Sequence, residues 1–401
     1  MKNAAPSERA ALRARAERIA AALPPMQKGE DGRLDAASRD ALRGAASSIL
    51  RRNRAVGASL VLALPGGARE TLCFGCARLK PHMPVTENTC FRVASVSKLV
   101  MTFGALSLAE SGRLDLDQDV SQYLGYPIRH PQHPDTPVTM RMLLTHTASL
   151  TDDGPYGARG MESGTTLRSL LGDTACWRDT APGQAFHYSN LGAGAAGCVM
   201  ERAAGMPFDD IMKARVFDPL GIRASYDPRR IVPAQDLADG YSVRGFLPPV
   251  RKYDAAFLAA RPREPFDPER DYLIAAGRMI TDSFGMERLL RLLASKDGMG
   301  VLSPASLDAM RSDQRGAPGI AAAGRGLNAA FLPCVFPGFS PVGHQGVAYG
   351  MCAELFCDSE RGCGVGVMTS GVRLKKSPPL IRAGFDLLAL GFTAMGSMQP
   401  D

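Results

Sequence analysis

Phe91-Arg92-Val93-Ala94-Ser95-Val96-Ser97-Lys98-Leu99-Val100 starts as a short apolar run with β character and passes into an apolar segment, 99–109, that ends before Gly112. That segment is too long for a strand, so Ser95 is expected at the start of a helix. Unpaired amides at a helix start polarise an oxygen nucleophile and receive a developing oxyanion. Lys98 stands three residues on, on the same helical face and within reach of the Ser95 hydroxyl. A serine beside a lysine whose amine is free of its proton can be acylated. The helix is apolar nearly all round, through Leu99, Val100, Met101, Phe103, Leu106 and Leu108, which predicts burial at the centre of the protein. Alone, Ser-X-X-Lys is weak: about 0.6 matches arise by chance in a chain of this composition. An N-capping serine followed by a solvated lysine would explain a single match.

Outward from this stretch, helical periodicity is expected over 7–23, where Pro24-Pro25 stops it, and over 36–53. Segments 56–64 and 70–79 read as strands joined by Pro65-Gly66-Gly67. From 123 to 266 the strand signal fades and prolines, glycines and short helical patterns dominate, with a short helix at 139–145. An amphipathic helix is predicted at 284–293, strands at 331–336, 342–346, 351–357 and 364–369, and a last helix at 381–390. Sheet-forming segments at both ends of the chain imply an α+β fold, an antiparallel sheet flanked by helices, with a helical and loop-rich lobe inserted between the sheet segments. The expected division is a basic helical extension at 1–54, a sheet domain from 55–120 and 270–401, and an inserted lobe at 121–269.

Composition narrows the function. The chain has 401 residues, 45% apolar and 22% charged, as in soluble globular proteins. No apolar run reaches the ~18 residues that span a bilayer. The first 23 residues carry Arg9, Arg13, Arg15 and Arg18 but no apolar signal core, so a cytoplasmic location is expected, or a periplasmic one if the N-terminus is processed. Of the net charge of +7, residues 1–54 hold twelve Lys/Arg against six Asp/Glu. Such a segment is a solvated surface helix or a weak docking element for an anionic membrane or a partner. Nucleic-acid recognition is excluded by the lack of zinc-finger spacing and of basic runs interleaved with aromatics.

Nine cysteines do not suggest a disulfide framework. Cys73 and Cys76 fall in an expected strand and read as buried thiols, while Cys357 and Cys363 are expected to face each other across a hairpin as thiols. His130 and His133, each followed by a proline, read as a solvated loop rather than a metal site.

Two further patterns keep Ser95 company. Tyr188-Ser189-Asn190 follows the turn Ala181-Pro182-Gly183, and His344-Gln345-Gly346 lies on a candidate strand. All three patterns in this order would arise by accident in under roughly one sequence in a hundred. Together with Leu143-Leu144-Thr145-His146-Thr147, they make the chain resemble the superfamily of class C β-lactamases, penicillin-binding proteins and family VIII esterases over about 56–390. The resemblance implies the β-lactamase/transpeptidase-like fold and a serine hydrolase. It further implies that Ser95 is the acylated nucleophile, Lys98 its base and Tyr188 a proton shuttle that helps activate the deacylating water. Asn190 would fix Lys98 and the substrate, and the amides of Ser95 and Val347 would form the oxyanion hole. His344 would support the proton network or contact the substrate, in the place where many β-lactamases carry lysine, and Gly346 would allow close approach of substrate to the strand. His146 and His187 are left as structural. Thr147-Ala148-Ser149 departs from the family's usual Thr-Ser-Gly, which puts the local loop shape in question.

No metal or cofactor is expected, and the partner is a small ester, amide or short peptide. A histidine without a fixed charge at 344 points to esters or D-amino-acid amides and peptides, with weak or no β-lactamase activity. The rival readings are a true β-lactamase and a sensor of the same fold that binds acyl groups without turnover.

Overall fold

The chain's two ends meet in one sheet. The structure, a computed structural model, describes residues 6–153, 165–260, 267, 269, 272–321, 324–377 and 380–398. Seven strands lie in the order Ala330–Phe331, Val342–Ala348, Met351–Asp358, Cys363–Ser370, Gly57–Ala63, Arg69–Leu79 and His82–Pro84, every neighbouring pair antiparallel. The join between the ends is the pairing of Gly57–Ala63 with Cys363–Ser370, in register from Gly57↔Ser370 to Ala63↔Gly364.

Alternation along the strands sends side chains into two cores. Leu60, Leu62, Val365 and Val367 face an outer layer made by helices Pro6–Ala20, Ala36–Arg52 and Arg382–Ser397. Val61, Leu355 and Met368 face an inner core that includes helix Ser283–Ala294, helix Val96–Glu110 and the lobe helix Asn190–Ala204. The inner core is continuous from sheet to lobe. Helix Val96–Glu110 lies at its centre, with Leu99, Val100, Met101 and Phe103 fully buried. No helix among the described residues is long and apolar enough to cross a membrane.

Several expectations are corrected. The helical N-terminal segment packs on the sheet, where Leu12, Ala16, Leu42, Ala46 and Ile49 help build the outer core. Arg15 is held by Asp386 at 2.5 and 2.6 Å, and Arg39 by Glu70 at 2.6 Å. The run 331–336 is strand only at Ala330–Phe331, because Phe336 turns to stack on Phe385 and Phe392. Cys357 pairs with Gly364 and Cys363 with Asp358, so the thiols do not face each other. One residue of register separates the expected and observed pairings, which sends Cys357 to the inner core and Cys363 to the outer. Cys73 and Cys76 lie on a strand as expected but are half-buried, at the end bent by a bulge. His130 is buried against Trp177 in a short hairpin, not a solvated loop.

Candidate active site

Ser95 occupies the position just before helix Val96–Glu110, but its side chain caps no amide there. Its Oγ instead accepts a hydrogen bond from Lys98 Nζ at 3.0 Å. The preceding residue, Ala94, has φ +47°, a left-handed conformation that turns the chain sharply into the helix. Lys98 is fully buried. Its Nζ donates to Asn190 Oδ1 at 2.7 Å and to the carbonyl of Ala276. Helix Val96–Glu110, helix Asn190–Ala204 and the short helix Ile274–Gly277 thus converge on one amine.

Asn190 is aimed by a residue the sequence did not reveal. Asp152 accepts from Asn190 Nδ2 at 2.7 Å, from the amides of Asn190 and Leu191 at 2.8 and 3.1 Å, and from Ser189 Oγ at 3.1 Å. A carboxylate facing the first amides of helix Asn190–Ala204 is well placed for charge. It also takes the NH₂ end of the Asn190 amide, which leaves the oxygen for Lys98.

Tyr188 stands with its ring centroid 5.2 Å from Lys98 Nζ. Its ring packs on His146 at 4.5 Å and lies 6.2 Å from that of His344. His146 accepts from the amide of Ser189 through Nδ1 at 3.3 Å, and its carbonyl accepts from the amide of His187 at 2.8 Å. Residue 146 therefore shapes the Tyr188 segment from both backbone and ring. Burial, with the positive charges of Arg325 and Lys98, holds the His146 imidazole well below its ordinary value, so it is neutral. Ser149 takes φ +60°, the conformation that glycine adopts without strain, so the Thr147-Ala148-Ser149 loop has a glycine-like turn without a glycine.

His344 is also buried and neutral, its acidity raised by burial and by the charges of Lys98 and Arg325. Its Nδ1 lies 2.6 Å from the carbonyl of Gln345. Gly346 has a sharper role than expected. A Cβ there would come within 2.0 Å of the Val93 carbonyl oxygen and 2.8 Å of the Ser95 amide nitrogen. Glycine lets the strand approach the turn that bears Ser95. Val347 follows on the same strand, its side chain packed beside Cys352, Val372, Ile381 and Ala383 on the face opposite to that approach.

Arg325, in the glycine-rich stretch before the strand, was not anticipated. Its guanidinium is buried, 4.3 Å from the ring centroid of Phe186, and its charge bears on His146 and His344. Burial lowers its pKa to about 10, so it remains cationic at neutral pH.

Among known proteins, the Beta-lactamase family matches residues 34–388. The chain is a member of the Beta-lactamase family. That match takes in helix Ala36–Arg52, earlier than the resemblance read from the motifs. Esterase EstB of Burkholderia gladioli is 31% identical over 330 residues, which cover 75% of this chain and 81% of the esterase. Two solved structures extend the likeness in fold. EstCE1, a hydrolase with promiscuous acyltransferase activity, has a TM-score of 0.68 at 23% identity, covering 90% of this chain and 98% of its own. D-amino acid amidase of Ochrobactrum anthropi SV3 has a TM-score of 0.66 at 22% identity, covering 88% and 98%. By family and fold, this Beta-lactamase family member is a hydrolase of the serine β-lactamase type.

Proposed function

We propose that the chain hydrolyses carboxylic esters or D-amino-acid amide and peptide bonds through an acyl-enzyme on Ser95, with β-lactams turned over weakly or not at all. The observation that carries this is the setting of Lys98 Nζ, 3.0 Å from Ser95 Oγ with Asn190 Oδ1 and the Ala276 carbonyl as its other partners. A free amine has two N–H groups and one lone pair. In the unprotonated form that the mechanism uses, both N–H groups go to those two oxygens and the lone pair faces the serine hydroxyl, which reverses the Lys98–Ser95 hydrogen bond.

In the first step Ser95 Oγ attacks the substrate carbonyl carbon and its proton passes to Lys98. The carbonyl oxygen becomes an oxyanion held by the amides of Ser95 and Val347. Collapse expels the alcohol or amine, which takes the proton back through Lys98 and Tyr188. Water then adds to the ester carbon, with the same groups taking its proton, and the acid leaves as Ser95 is restored. Neutral His344 supports this network without placing a charge at the substrate.

The ester and amide reading is supported by the 31% identity to esterase EstB and by the likeness in fold to D-amino acid amidase. A second reading, β-lactam hydrolysis, is favoured by Arg325, which supplies beside Tyr188 the positive charge that residue 344 lacks. A panel of short-chain p-nitrophenyl esters, D-amino-acid amides and a chromogenic cephalosporin separates the two. Ester or amide turnover is expected, absent in Ser95→Ala and lowered by orders of magnitude in Lys98→Ala and Tyr188→Phe. Turnover unchanged in Ser95→Ala would refute the mechanism, and faster turnover of the cephalosporin than of any ester would choose the second reading. A permanent adduct without turnover would mean a sensor.

A further inference from the structure

The hairpin of Gly240–Ser242 and Val250–Tyr253 carries Phe246-Leu247-Pro248-Pro249 in its loop. Phe246 is 95% exposed, Leu247 66% and Val250 54%. Single exposed apolar residues are ordinary, but a contiguous group on a projecting turn marks a contact surface. The tip is held to the body of the protein. Arg54 donates to the carbonyls of Gly245 and Leu247, the latter at 3.1 Å, and Arg373 donates to Gly245 at 3.2 Å.

Beside the tip, a cavity of about 650 Å³ opens between this hairpin, the turn Tyr349-Gly350 and the stretch 372–375. Its charged lining is Arg244, Lys252, Arg373 and Lys375, with no acidic residue. None of these four forms an ion pair among the described residues. The neighbouring Arg251, by contrast, is matched by Asp239 at 3.4 Å and Asp254 at 3.1 Å. Four like charges around one cavity repel one another until an anion enters.

We infer that this cavity and the adjoining tip form a docking site for the anionic phosphate headgroup of a membrane lipid, with Phe246, Leu247 and Val250 entering the acyl boundary. A soluble anion would satisfy the cations and leave the apolar tip in water. A second copy of the chain would bring like charges face to face, and an uncharged apolar partner would leave them uncompensated. An anionic lipid surface meets both features at once. Of the cations in the basic N-terminal segment, Arg15 and Arg39 are engaged with Asp386 and Glu70, and Arg54 itself holds the tip. The cavity wall at Tyr349 continues the strand that touches the Ser95 turn at Gly346, three residues or roughly 10 Å along it. Docking would therefore hold the candidate active site close to the membrane surface.

Co-sedimentation of the full chain with vesicles tests this without substrate, so its outcome is independent of hydrolysis. The chain should bind phosphatidylcholine vesicles containing phosphatidylglycerol, release them at high salt, and ignore pure phosphatidylcholine. Lys252→Ala and Lys375→Ala should each lower partitioning about fivefold, and Phe246→Ser with Leu247→Ser should lower it further while circular dichroism stays unchanged. No binding to the anionic vesicles, equal binding to both kinds, or binding unmoved by all four substitutions would overturn the inference. So would calorimetric binding of glycerol 3-phosphate without vesicle binding, which would assign the cavity to a soluble anion. Self-association abolished by Phe246→Ser would assign the tip to a second copy and overturn it as well.

Discussion

Asp152→Asn changes one atom and should reverse a side chain two steps from the nucleophile. The new amide oxygen can still accept from Ser189 Oγ and from the amides of Asn190 and Leu191, the partners that one carboxylate oxygen holds now. The other carboxylate oxygen, 2.7 Å from Asn190 Nδ2 and sharing the Asn190 amide at 2.9 Å, becomes an NH₂ group, which leaves that amide to the retained oxygen at 2.8 Å. Two NH₂ groups cannot face each other at that distance, so the Asn190 amide turns over and presents nitrogen to Lys98 in place of the oxygen now 2.7 Å away. Lys98 then loses one acceptor and meets a donor. Once Lys98 has taken the serine proton its bond to the Asn190 oxygen is one to a charged group, which contributes about 1.5–3 kcal/mol, and 1.36 kcal/mol is tenfold in rate, so kcat should fall by about 10- to 150-fold. KM should move little, because Asp152 reaches the substrate only through Asn190 and Lys98. Helix stability should fall by only about 0.3–1 kcal/mol for the lost charge at the helix start. Steady-state kinetics on a p-nitrophenyl ester, with thermal unfolding alongside, measure both. A variant within threefold of wild type in kcat would show that the amide orientation does not matter and would refute this account of Lys98.

Two other substitutions probe the sheet beside the Ser95 turn. Gly346→Ala puts a methyl against backbone atoms of Val93 and Ser95 that cannot rotate away, so the strand must retreat by about 1 Å. Misplacement of that size costs about 10²-fold in rate. The expected result is that loss in kcat/KM with a folded protein, and near-normal activity would show that the strand and turn need not touch. Glu354→Gln should alter the pH dependence of stability. The buried Glu354 carboxyl, bonded by Gln345 on the neighbouring strand, is pushed well above its ordinary value of 4.5 by burial. A carboxyl raised on folding contributes stability that is full below the unfolded value and is lost as pH rises towards the folded one, at about 1.4 kcal/mol per pH unit. As pH rises above the ordinary carboxyl range, the wild type should therefore lose stability relative to the glutamine variant in urea titrations. Parallel curves would mean that Glu354 is ionised in the fold.

Much of this was readable from short spacings. Ser95 and Lys98 share a helical face because they are three apart, whereas the fit of Gly346 against the Val93–Ser95 turn showed only in the fold. Asp152 and Arg325 gave no such signal. Each acts through contacts across the fold, Asp152 on a helix start 38 positions away and Arg325 on rings reached only when the lobe closes against the sheet. Register was equally hidden. Whether Cys357 faces Cys363 depends on one residue in a turn, which composition does not reveal. The apolar run 331–336 looked like strand because burial and β character share a composition, yet Phe336 is buried by aromatic stacking outside the ladder.

The central claim is that Ser95 Oγ is the nucleophile. Intact-mass spectrometry after incubation with a fluorophosphonate tests it without knowledge of the natural substrate. One adduct on the wild type, absent from a folded Ser95→Ala variant, is the expected result. An adduct retained in Ser95→Ala, or none on a wild type that turns over esters, would contradict it.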